Sequence, residues 1–196
     1  MFARRTATRI KKGSVQKKNR HTLTPNYWNT RQEEIQIDVE APGKGYKHFL
    51  KKRDIKQFLE ILPNREEIDV EFDAVLLAKG DSYTDGWYQN GVIAICAWEK
   101  EMTKEYNISY FNAHKNIFDK LGIEYQIKKD YVICDFTENQ IKAFLLLHIF
   151  LHELGHHHDR INTKSKKIAR GENYAESYAF KYEEIIWNKY FEYFSF

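Results

Sequence analysis

The chain has 196 residues, 42% hydrophobic and 30% charged, with a formal net charge of +3. That is enough for one domain of globular composition. Nine Gly and three Pro exclude collagen-like and long disordered architectures, and no apolar run is long enough to span a membrane. The charge is uneven: residues 1–20 hold eight bases (Arg4, Arg5, Arg9, Lys11, Lys12, Lys17, Lys18, Arg20) and no acid, leaving 23 bases against 28 acids, a formal −5, on the rest. Such a run repels itself and has little to bury, so residues 1–20 are expected to be a disordered basic tail and a candidate contact for nucleic acid or another polyanion. Residues 21–196 are expected to form a single domain. The basic start lacks the apolar middle of a secretion signal, so a cytoplasmic location is expected. Cys96 and Cys134 stand in apolar stretches and read as buried, reduced thiols rather than a disulfide framework.

In chain order, Glu34–Glu40 alternates through Ile35, Ile37 and Val39, the period of a half-buried strand. A turn at Ala41–Gly45 precedes Tyr46–Leu62, whose apolar residues at 49, 50, 55, 58, 59 and 62 have helical spacing, with Pro63 as the stop. Ile68, Val70 and Phe72 restore the alternation of a strand. Trp87–Trp98 is interrupted by Asn90-Gly91, which favours the positive backbone angles of a tight hairpin. The run Val92–Trp98 is apolar on both faces and predicts an internal strand. A helix is expected over Ile108–Leu121, closed by Gly122, and a second hairpin over Ile123–Ile127 and Tyr131–Phe136. Thr137-Glu138-Asn139-Gln140 is a capping-box pattern, opening a helix that should run to about Asp159. Its middle, Ala143–Leu154, is apolar nearly all round, as in a helix at a domain centre. A last helix should span Glu172–Phe194.

The buried helix carries His152-Glu153-Leu154-Gly155-His156, a His-Glu-x-x-His sequence expected by chance in only about 0.03 chains of this length and composition. Residues four apart share one helix face, so His152 and His156 can reach one zinc ion, while Glu153 can hold an attacking water and take its proton. Catalytic zinc needs a third protein ligand. The metzincin extension fails, because Asp159 and Asn162 stand where Gly and His are required. His157 and His158 point about 100° and 200° away from His156, and are expected to be exposed or to support the ligands from behind. A carboxylate on the last helix remains, and Glu172 and Glu176 both qualify. His148, one turn before His152, reads as a core or cleft-lining histidine; His21, His48 and His114 have no partner pattern.

The pattern His152-Glu153-x-x-His156 followed by Glu172-x-x-x-Glu176, with Ala175 and Ala179, resembles the gluzincin zinc peptidases, nearest in size to the minigluzincins and the ImmA/IrrE-like proteins. The resemblance covers roughly residues 140–180. It implies that His152, His156 and Glu172 bind Zn2+, that Glu153 is the general base, and that Glu176 orients a ligand histidine. Glu stands at 176 where the family more often has Asp or Asn, which leaves Glu176 as the alternative third ligand. The implied fold is α+β: a small mixed or antiparallel sheet ahead of the motif helix, with Val92–Trp98 as candidate for the strand along the cleft. The implied activity is hydrolysis of a peptide or protein substrate. The competing expectations are a structural zinc, a hydrolase acting on other substrates, and a nucleic-acid-associated regulator in which the basic tail does the binding.

Overall fold

The structure, a computed structural model, describes residues 26–163 and 170–194, together with the two-residue strands β1 (Ile10–Lys11) and β2 (Ser14–Val15), which pair antiparallel. The rest of the basic tail lies outside the described residues. No described helix is long and apolar enough to cross a membrane.

The architecture is mixed α+β, as expected. Strand β3 (Gln36–Val39) is the first of a four-stranded sheet. The expected helix from Tyr46 begins only at Lys52, because Tyr46–Lys47 is a short strand, β4. It pairs antiparallel with β8 (Trp98–Glu99). Helix α1 (Lys52–Ile61) is capped where Asp54 accepts a hydrogen bond from the Lys51 N–H at 2.9 Å, and it buries Ile55, Phe58 and Leu59.

The strand expected over residues 68–72 is absent. Ile68 ends a short helix, α2 (Arg65–Ile68), Val70 is 51% exposed, and Glu71 has a positive φ of 57°. The strand is β5 (Ala74–Ala78), every residue of which is buried. It lies inside the sheet, apolar on both faces, and so shows no alternation. Its neighbours are β3 and β7 (Val92–Cys96), both parallel to it, and β6 (Gly86–Gln89) closes the order β3-β5-β7-β6 antiparallel to β7. Asn90 and Gly91, at φ 50° and 88°, make the expected tight hairpin between β6 and β7.

A second, antiparallel sheet has the order β10-β11-β9, from β9 (Thr103–Asn107), β10 (Glu124–Ile127) and β11 (Tyr131–Asp135). Helix α3 (Ile108–Lys120) follows β9 and buries Phe111, Ile117 and Phe118. Its N-cap Asn107 accepts from the Tyr110 N–H at 2.7 Å, and Gly122 (φ 63°) lets the chain turn back beyond its end.

The motif helix is a continuous rod in three parts. Helix α4 (Glu138–Phe144) opens with the expected capping box: Thr137 Oγ1 accepts from the Gln140 N–H, and Gln140 Oε1 from the Thr137 N–H. A π-helical segment, Leu145–Phe150, comes next, and α5 (Leu151–Asn162) continues it. All six π residues are buried. Helix α6 (Glu172–Phe194) returns along α5. The two approach closely at Gly155, where an added Cβ would stand 2.7 Å from Ala175 Cα. Phe58, Phe118, Phe144, Phe150 and Tyr190 fill the centre between these helices and the sheets.

Candidate metal centre

His152 and His156 project from one face of α5, and Glu172 reaches them from the first turn of α6. One ligand atom from each lies within 4.8 Å of the other two. The two His Nε2 atoms are 3.2 Å apart, Glu172 Oε2 is 3.1 Å from His152 Nε2, and Glu172 Oε1 is 3.5 Å from His156 Nε2. An ion held tetrahedrally by nitrogen and oxygen at about 2.0–2.1 Å keeps its ligand atoms about 3.3–3.4 Å apart. The His–His separation lies near that figure, and so does the approach of each Glu172 oxygen to its own histidine, so the group could bind a metal ion. The Glu172 side chain is 81% exposed, which leaves the outer side of the triangle open to solvent.

Glu176 does a different job from Glu172. Its Oε2 accepts from His152 Nδ1 at 2.9 Å, on the ring nitrogen turned away from the triangle. That contact places the N–H on Nδ1 and leaves the Nε2 lone pair for an ion, the usual arrangement behind a ligand histidine. The other Glu176 oxygen, Oε1, is 2.9 Å from His114 Nε2 on α3. His114 Nδ1 in turn donates to the Tyr110 carbonyl at 2.7 Å. Burial alone would raise the Glu176 carboxyl. Contact with His114 and His152 outweighs burial and holds it well below the usual carboxylate range. His152 is pulled down by burial, yet the Glu176 hydrogen bond and the charges of Glu153, Glu176 and Glu172 leave it raised. Burial, then His152, lowers His156.

Glu153 is buried at the cleft, and desolvation pushes its carboxyl up to about 7 against the opposing pull of His152. A carboxylate at that value can both take and return a proton near neutrality. The cleft, about 590 Å³, is lined by His152, Glu153 and Glu172 on one side and by Asp85, Lys104 and Tyr106 on the other; Asp85 and Lys104 form an ion pair there. A second hollow of about 430 Å³ shares His152, Glu153 and Glu172 and runs under Gly86, Trp87 and Tyr88. The strand beside the site is therefore the sheet edge β6. Val92–Trp98, expected in that place, supplies β7, one strand further in. Gly86 is what lets β6 come so close: a Cβ there would stand 2.6 Å from Ile149 Cγ2 and 3.3 Å from Glu153 Cγ.

Two expectations about the neighbouring histidines change. His157 is only 1% exposed and is a structural residue of the sheet–helix packing. Its Nε2 lies 3.2 and 3.0 Å from the Ile68 and Val70 carbonyls, its Nδ1 3.2 Å from the Tyr88 hydroxyl. The partners come from residues 68–70 and β6, which helical geometry within α5 does not reveal. His158 meets the Tyr174 hydroxyl at 2.7 Å.

Two residues left unassigned by sequence reasoning matter here. His114 braces Glu176, as described. Asp159, buried, accepts from Arg170 Nε at 2.7 Å, the Gly171 N–H at 3.2 Å and Thr163 Oγ1 at 3.0 Å. Those bonds tie the end of α5 to the start of α6 and so set where Glu172 stands. The only available signal was that a charged side chain at the end of a buried helix needs partners.

The site and fold together define an α+β protein with a His/His/Glu group that could bind a metal ion. Compared with protein-family models, curated proteins and solved structures, the chain matches none.

Proposed function

We propose that the protein is a zinc-dependent peptidase of gluzincin type, with His152, His156 and Glu172 as the metal ligands and Glu153 as the general base. The observation that carries this reading is the convergence of His152, His156 and the Glu172 carboxylate, one ligand atom from each within 4.8 Å of the others, at the open side of a cleft beside a buried carboxylate. Two imidazoles and a carboxylate are a zinc donor set. Bound there, zinc would supply Lewis acidity, making water easier to deprotonate and steadying negative charge on a carbonyl oxygen. Glu153 takes the proton of the attacking water and returns it to the leaving amine. Glu176 holds the His152 ring so that Nε2 faces the metal position. An extended peptide adds to the free edge of β6, where backbone hydrogen bonds align it over Glu153.

The test is metal analysis of the purified protein with a proteolysis screen, followed by Glu153→Gln on any substrate found. The wild type should carry about one zinc at this site, and the variant should keep it and lose cleavage. A variant that cleaves at the wild-type rate with matched zinc overturns Glu153 as base. A His156→Ala variant with undiminished zinc overturns the ligand assignment.

A further inference from the structure

A second group of metal-ligating atoms lies on the cleft floor. His114 of α3, His148 of the π-helical segment and Glu176 of α6 each offer one atom, all within 4.8 Å of one another. The His114 and His148 rings meet edge to face at 4.6 Å between centroids, and both line the cleft with Glu176.

The proton count around these atoms does not close. The Tyr110 carbonyl, 2.7 Å from His114 Nδ1, has only lone pairs, so Nδ1 carries its N–H there. His114 Nε2 then faces Glu176 Oε1, a carboxylate oxygen, at 2.9 Å. Glu176 Oε2 is already engaged by His152 Nδ1. The approach of Nε2 to Oε1 is close but not aligned as a hydrogen bond, and Glu176 Oε1 and His148 Nδ1 are both buried without a hydrogen-bond partner. A buried polar atom without a partner has given up its hydrogen bonds to water and gained none in return. A cation among these side chains would take one lone pair from each and give the Glu176 carboxylate oxygen a partner.

Two further features point the same way. A ligand histidine normally donates its second ring N–H to a carbonyl or carboxylate, as His114 does to Tyr110. Moreover, His148 sits in a π-helical stretch, a rare backbone form that is frequent at functional sites.

We infer that His114, His148 and Glu176 form a second divalent-cation site, inside the cleft and separate from His152, His156 and Glu172. Two imidazoles and one carboxylate give it the donor set of a zinc-class ion. Glu176 joins the two sites, binding the inner ion through Oε1 while orienting His152 through Oε2. The inner ion clamps α3, the π segment and α6 together beneath the outer site. Its existence does not depend on peptidase activity.

The experiment is titration of the metal-stripped full chain with Co2+, read by visible absorption and by metal analysis after gel filtration. The wild type should take up about two equivalents, and His156→Ala, His114→Gln and His148→Phe about one each. His114→Gln keeps a polar side chain in place, and carries the test if His148→Phe fails to fold. Wild-type saturation at about one equivalent, lost in His156→Ala, overturns the inner site, as does a His114→Gln variant that still binds about two. A single equivalent that survives His156→Ala and disappears in His114→Gln supports the inner site and overturns the outer one.

Discussion

Replacing Gly155 by Ala tests whether the spacing of two helices sets the metal centre. The added Cβ would stand 2.7 Å from Ala175 Cα, 2.9 Å from Ala175 O and 3.1 Å from Tyr178 Cβ. Ordinary contact begins near 3.4 Å, and the first two atoms are backbone. Relief therefore requires α5 and α6 to part by roughly 0.5–1 Å, because packed interiors have no slack to absorb the methyl. Overpacking of this kind costs about 1–3 kcal/mol, while replacing a mid-helix Gly by Ala returns about 1 kcal/mol. The net loss is about 0–2 kcal/mol, a fall in Tm of a few degrees at this chain length. Metal binding should suffer more. His152 precedes Gly155 by about one turn, as Glu172 precedes Ala175, so a parting of the helices opens the 3.1 and 3.5 Å edges between Glu172 and the histidines. Metal–ligand distances tolerate only about ±0.2 Å, so zinc affinity should drop roughly tenfold or more. Competition with a chromophoric chelator reads the affinity, and thermal melts in excess EDTA read the stability of the metal-free chain separately. Wild-type zinc affinity together with a raised Tm would refute the reasoning: the two helices would then be loosely packed at this point, and their contact would not set the ligand geometry.

Glu172→Ala should weaken zinc binding far more than the roughly 10–100-fold expected for Glu176→Ala at the outer site, measured by the same competition; the reverse order would make Glu176 the ligand. Asp159→Asn should lower Tm in EDTA by the equivalent of about 1.5–3 kcal/mol, because Asp159 accepts from Arg170, Gly171 and Thr163 at the α5–α6 junction; an unchanged Tm would mean that junction is held otherwise. Lys120→Met should leave the buried Glu183, 2.9 Å away, without its cation; the cost is about 2–3 kcal/mol, below that of a fully buried pair because Lys120 is about one-third exposed. Burial raises the Glu183 carboxyl above its unfolded value, so the unfolded chain releases that proton first and stability falls as pH rises through the acid range; urea melts should show a larger defect at pH 7 than near pH 5. Cys96 and Cys134, buried with their thiols pushed up to about 12, should stay silent to a thiol reagent at pH 8 until denaturant is added; fast reaction in the native chain would contradict their burial.

Elements whose cause is local were legible in the sequence. The α6 boundaries, the Thr137 capping box and the Asn90-Gly91 hairpin each follow from a handful of adjacent residues. Elements whose cause is a neighbour were not. Ala74–Ala78 has no period because both its faces are buried by other parts of the chain, and the nearby alternation at 68–72 was the stronger but misleading pattern. Thr103–Asn107 has only Tyr106 buried; its strand exists because Tyr131–Asp135 offers it a backbone ladder from nearly thirty residues further on. Tyr46–Lys47 likewise becomes a strand only by pairing with Trp98–Glu99, which cuts the expected helix short.

The candidate site divides in the same way, and the division has a chemical consequence. The four-residue spacing of His152 and His156 puts both on one face, and a sixteen-residue reach to Glu172 is short enough to read along the chain. What holds those side chains in place came from further away. Glu176 is braced by His114, which α3 delivers from another part of the fold, and Glu172 is set by Asp159 through the α5–α6 junction. Helical periodicity gives the direction of a side chain to within tens of degrees, whereas a metal site needs its ligands held to within about 0.5 Å. The gap is filled by these supporting contacts. A change at His114, far from the His-Glu-x-x-His segment in sequence, should therefore reach His152 through Glu176, whereas a change at exposed Ile127 of β10 should not.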